Sequence, residues 1–121
     1  MFNFAKSTAL MLLIAAVALA ADVSGTWTAS FDTQVGQQSY TYTFKVDGGK
    51  LTGTAKSNLG EGTITDGKVN GDDITFTENL NYQGMQLMIP YKGKISGDEI
   101  KFTRTVAEGF DPETFVAKRA K

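Results

Sequence analysis

Tyr40-Thr41-Tyr42-Thr43-Phe44-Lys45-Val46-Asp47-Gly48-Gly49-Lys50-Leu51-Thr52-Gly53-Thr54-Ala55 is the stretch on which the fold turns. Successive side chains of an extended chain point to opposite faces, so Tyr40, Tyr42, Phe44 and Val46 share one face and Thr41, Thr43, Lys45 and Asp47 the other. Gly48 and Gly49 can take the positive φ that a two-residue hairpin turn demands. Beyond the turn, Leu51, Gly53 and Ala55 carry the apolar face onward against Thr52, Thr54 and Lys56. Two strands joined by a tight turn, each with one face for a core and one for water, make an antiparallel hairpin.

The same alternation extends in both directions. Upstream, Trp27, Ala29 and Phe31 share a parity opposite Thr26, Thr28 and Ser30. Downstream, Asn58-Leu59-Gly60 reads as a turn, and Gly62 and Ile64 open a strand expected to end at Asp66-Gly67. The chain then repeats itself. Gly67-Lys68-Val69-Asn70-Gly71-Asp72-Asp73-Ile74-Thr75-Phe76-Thr77 recurs as Gly93-Lys94-Ile95-Ser96-Gly97-Asp98-Glu99-Ile100-Lys101-Phe102-Thr103. Two copies make a hairpin unit used twice, where a solenoid needs at least three. Met85, Leu87, Ile89, Tyr91 and Ile95 keep one parity between the copies, and Pro90 marks an edge position or a bulge because it has no N–H for a ladder. A loop over residues 108–112 leads to a last strand from Thr114 to Arg119. No segment carries an apolar stripe of helical period. Short strands in hairpin succession fit a sandwich or a barrel, and a barrel leaves no bare edge when the last strand pairs with the first. We therefore expect an all-β fold, a single antiparallel up-and-down barrel of about eight strands.

Ahead of this domain, Lys6 precedes the apolar run Ala9 to Ala20, which ends in Ala18-Leu19-Ala20. The run is shorter than the roughly 20 residues of a spanning helix, and its small-x-small end is a cleavage pattern. Residues 1–20 read as a signal peptide and residues 21–121 as the barrel, exported to the periplasm or the exterior, with no membrane span in the mature chain. With no cysteine in the chain, no lipid anchor of the lipoprotein type and no disulfide frame can form. Twelve basic and 13 acidic residues give a formal charge of −1, and loss of Lys6 makes the remainder one unit more negative. Nucleic acid and anionic lipid need a basic surface, so neither is an expected partner. Histidine is absent too, which removes the commonest metal ligand and general base together.

Gly25-Thr26-Trp27 on the first strand and Arg119 on the last resemble the calycin superfamily of lipocalins, fatty-acid-binding proteins and avidins. The repeated Gly-Lys-x-x-Gly-Asp-x-Ile-x-Phe-Thr rhythm is similar to that of small barrel proteins exported by bacteria. The calycin resemblance implies that Trp27 packs at the closed end of the barrel beneath a basic side chain, Arg119 by preference, with Arg104 as the substitute. A guanidinium over an indole contributes about 0.5 to 2 kcal/mol. Lipocalin motifs beyond the first strand and a set of avidin biotin contacts are missing, so the resemblance implies no particular ligand.

Parity supplies the candidate site. Counting on from Ile74 and Phe76 puts Glu78 inside, and counting on from Ile100 and Phe102 puts Arg104 inside. Inward charges are costly unless paired or wetted. Matched positions in the repeat set both at similar heights, where they would line a polar mouth above an apolar cavity joined by Tyr40, Tyr42, Phe44 and Tyr91. Asp72-Asp73 and Asp98-Glu99 sit at hairpin tips without calcium-loop spacing, so no metal or other cofactor is expected. Glu78 is the one acid that parity places inside, so no carboxylate pair for glycoside cleavage is assembled. No nucleophile and base can be matched either, and the chain is read as not an enzyme. The function expected is a non-catalytic barrel that binds a small apolar or amphipathic molecule in its interior. The competing reading is a packed structural or protein-interaction module without a cavity.

Overall fold

The computed structural model describes residues 22–33, 36–107 and 109–120, so the signal peptide and its cleavage point lie outside the described residues. Among the described residues the chain forms eight strands: β1 (Gly25–Thr33), β2 (Gly36–Asp47), β3 (Lys50–Ser57), β4 (Gly60–Asn70), β5 (Asp73–Tyr82), β6 (Met85–Ser96), β7 (Glu99–Arg104) and β8 (Glu113–Arg119). Each pairs antiparallel with the next, and β8 pairs with β1 to close the barrel. No helix occurs among these residues, and so none is long and apolar enough to cross a membrane.

The turns follow from their residues. Gly48 and Gly49 both adopt positive φ, at 60° and 89°, between Asp47 and Lys50, which pair across the hairpin. Their handedness suits the twist of the flanking strands. The repeated hairpins turn at Gly71 and Gly97, each at φ 61°, so the two copies of the repeat build β4–β5 and β6–β7 with equivalent tips.

Two features depart from the sequence reading. β4 does not end at Asp66-Gly67 but continues to Asn70 through a register shift between Thr65 and Lys68. Asp66 takes φ 55° there, and the inserted residue moves the inward set from Gly62 and Ile64 to Gly67 and Val69. A β-carbon on Gly67 would stand 2.3 Å from the Leu51 carbonyl oxygen, so the bulge brings two backbones closer than any side chain permits. Pro90, by contrast, lies in regular register opposite Thr77. Its carbonyl accepts a hydrogen bond from the Thr105 N–H just past the end of β7, so its missing donor falls where the β6–β7 ladder stops.

The centre of the barrel is filled by rings. Tyr42 stacks on Tyr40 and Phe44 at centroid distances of 5.1 and 5.7 Å, and Phe76 stacks on Tyr91 at 4.4 Å. Phe102 meets Phe76 and Tyr91 edge-on. Such pairs add about 0.5 to 1.5 kcal/mol each beyond the area they bury. The seam is sparser: β1 and β8 share the register pairs Trp27–Arg119 and Thr28–Lys118. Nearer the other end the Phe31 and Phe115 rings face each other at 3.8 Å across the same two strands.

Candidate functional site

At the end of the barrel where β1, β3, β5 and β7 finish lies a cavity of about 290 Å³. Its walls are apolar, with Leu80, Leu87, Ile89 and Val106 among them. Met85 and Phe110 stand at its rim and remain 62% and 41% exposed, an apolar approach to an apolar space. Polar groups enter through Gln38, Tyr40, Arg104 and Glu113.

Arg104 reaches this place because β7 runs without a bulge from Ile100, and it pairs directly with Tyr91 on β6 and Glu113 on β8. Its Nε donates to Glu113 Oε1 at 2.8 Å, and its Nη1 donates to the hydroxyls of Tyr40 at 3.0 Å and Tyr91 at 2.8 Å. Each hydroxyl then donates to one oxygen of Glu78, Tyr40 to Oε2 at 3.0 Å and Tyr91 to Oε1 at 2.7 Å. The Tyr91 proton being committed, the 2.9 Å contact with Tyr42 requires the Tyr42 hydroxyl to be the donor. Every proton on Nε and Nη1 is used, while Nη2 carries no hydrogen bond among the described residues. The guanidinium carbon also lies 4.8 Å from the Phe31 ring centre and 5.0 Å from that of Tyr40.

Burial sets the electrostatics. It pushes the Glu78 carboxyl above its ordinary 4.5, against the lowering effect of the Tyr91 hydrogen bond, the Arg104 charge and the Tyr40 hydrogen bond. Desolvation likewise raises Tyr40 and carries Tyr42 and Tyr91 well above their usual range, so all three hydroxyls stay protonated as donors. For Arg104 burial works against the charge, yet its tyrosine neighbours and the bond to Glu113 outweigh it and the pKa moves up. The Arg104–Glu78 ion pair, 3.5 Å between Nη1 and Oε1, is therefore enclosed and relayed through two hydroxyls.

Of the six residues singled out for binding, Tyr40 and Arg104 line the cavity. Glu78 is fully buried beneath it, Tyr42 and Tyr91 are held in the hydrogen-bonded network, and Phe44 packs deeper, against Tyr42 and Phe76. The polar layer is thus the floor of an apolar mouth, the reverse of a polar mouth over an apolar cavity. Glu78 is also not the only inward acid, because Glu113 shares the inward parity of Phe115 and Ala117 on β8. Gln38, two residues before Tyr40 on β2, completes the inward polar set; it is 1% exposed and its Oε1 has no hydrogen-bond partner.

At the opposite end Arg119 lies over Trp27, with its guanidinium carbon 4.5 Å from the ring centre. Trp27 is fully buried and its indole N–H donates to the Val23 carbonyl at 2.9 Å. Arg119 donates to the carbonyls of Ser24 and Asp22 and to the Asp98 carboxylate, tying the strap of residues 22–24 across the barrel end. Val23, in the middle of the strap, is wholly buried.

Among the described residues no group of three or more histidine, cysteine, aspartate or glutamate side chains could hold a metal ion. No protein-family model, curated protein or solved structure matches this chain, so the calycin resemblance rests on Gly25, Trp27 and Arg119 over an eight-stranded antiparallel barrel.

Proposed function

We propose that this chain is an exported, non-catalytic barrel that takes one small, mostly apolar molecule into the cavity at its mouth, in the manner of a calycin. The observation that carries this reading is the combination at one end of an apolar cavity of about 290 Å³ with a floor of directed polar groups held rigid by the Glu78–tyrosine–Arg104 network. Ligand sites are typically apolar enclosures with a few fixed polar groups, and this volume is at the small end of their range. The floor stays in place without a ligand because its ionised groups satisfy one another. A packed module without a ligand is the second reading, favoured by the ring cluster that fills the barrel centre.

Titration with the neutral fluorophore N-phenyl-1-naphthylamine separates the two. Binding is expected to saturate at one probe per chain and to be lost in Leu87→Trp, which fills the cavity from a half-buried wall position. Absence of saturable binding, or binding unaltered by Leu87→Trp, supports the packed module.

A further inference from the structure

The polar groups left unpaired at the cavity specify more than an apolar guest. Gln38 lines the cavity, is 1% exposed, and keeps its Oε1 without a hydrogen-bond partner. An orphaned buried acceptor is a standing cost that a donor from a guest would remove. The terminal torsion of a glutamine side chain is broad, so turning Oε1 into the cavity sacrifices no existing bond of that oxygen. Arg104 lines the same cavity and offers Nη2, the one nitrogen its partners leave unused among the described residues. Arg104 is bonded to Tyr40, which shares the inward face of β2 with Gln38 one step nearer the rim, about 7 Å away along the strand. With Oε1 so turned, Gln38 and Arg104 would offer a guest an acceptor and a donor together. It also holds two carboxylates, Glu78 and Glu113, for one guanidinium, so its positive charge is already spent.

Resting on the cavity-binding reading, we infer that the guest is an uncharged amphiphile whose polar head both donates and accepts, a primary amide or a hydroxyl, with its apolar tail toward the rim. A carboxylate head would find Arg104 neutralised and Gln38 still without a donor. An ammonium head would satisfy Gln38 but, having no acceptor, would leave Nη2 unused.

Competition against N-phenyl-1-naphthylamine with decanamide, decanol, decanoate and decylamine at neutral pH tests this. Decanamide and decanol are expected to displace the probe on the order of tenfold more tightly than decanoate or decylamine, the effect of one net hydrogen bond. In Gln38→Leu the advantage of decanamide and decanol over decanoate and decylamine should disappear. Decanoate or decylamine binding as tightly as the amide overturns the inference and leaves the cavity reading standing, as does an unchanged ranking in Gln38→Leu. Failure of the naphthylamine and all four decyl compounds to bind removes both.

Discussion

Arg104 and Arg119 sit near opposite ends of one barrel, each with its guanidinium over aromatic rings, yet they are bound in different ways. Arg119, with a third of its side chain exposed, spends its donors on main-chain carbonyls of the strap and on Asp98, whose own side chain is 82% exposed. Carbonyl dipoles and a solvated carboxylate ask for little in return, and this end is a plug. Arg104 is 3% exposed and spends its donors on hydroxyls and carboxylates that are largely enclosed with it, while its Nη2 carries no hydrogen bond among the described residues. The comparison teaches that a cation on a ring closes a barrel when its hydrogen bonds go to backbone. It braces a buried polar layer when they go to side chains enclosed with it.

The sharpest way to break that distinction is Arg104→Met. Removing one partner of a buried pair strands the other, so a loss of about 3 to 5 kcal/mol in urea unfolding is expected. Adding Glu78→Gln to it should restore part of the loss, as a double-mutant cycle for coupled groups requires. A cost for Arg104→Met no larger than that of Arg119→Ala would show that the two ends are held alike.

Arg119→Ala comes next. It gives up a partly solvated contact with Trp27 and hydrogen bonds at the surface, for an expected loss of about 1 to 2 kcal/mol. Trp27 fluorescence should become more accessible to iodide, since the guanidinium covers its ring. An unchanged unfolding midpoint together with unchanged quenching would deny the plug any role.

The smallest effect is in the pH profile. Burial raises the folded-state pKa of Glu78 above the 4.5 of a free glutamate, so between the two values the folded chain holds a proton that the unfolded chain has released. Stability from this group is then full below about 4.5, falls as pH rises through the folded value, and is level above it. Relative to Glu78→Gln, the unaltered chain should gain stability as pH is lowered from 7 toward 4.5. Parallel profiles, or a gain on raising the pH, would mean that the hydroxyls and Arg104 hold the carboxyl down after all.

The inward charges were read correctly because their strands carry no inserted residue. β5 and β7 run straight from their hairpin turns, so parity counted from Ile74 and Ile100 arrives at Glu78 and Arg104 on the right face. The register shifts in the β3–β4 and β4–β5 ladders both come from one extra residue on β4 around Asp66, which was illegible because Asp-Gly is also a common turn signal. Glu113 and Gln38 were missed for a different reason. Hydrophobic periodicity finds inward positions by their apolar residues, and a polar residue one step beyond Phe115 or Tyr40 looks like the start of a loop. Continuing the count past the last apolar residue would have found both. The depth of the cavity was not legible at all, because it depends on where the aromatic fill stops.

The short seam between β1 and β8 carries a consequence for how the ring is assembled. Seven of its eight ladders join strands that are neighbours in sequence and can zip locally, whereas the Trp27–Arg119 and Thr28–Lys118 pairs bring together segments from near the two ends of the chain. That loop entropy is met by few contacts, so closure is the slow, non-local step. Until it happens the molecule is an open sheet with two bare edges, each able to pair with the edge of another copy. Arg119 and the facing rings of Phe31 and Phe115 act as the clasp at either end of that joint. Loosening the clasp turns a closed ring into a strand donor, and self-association through those edges is the failure to which this fold is most open.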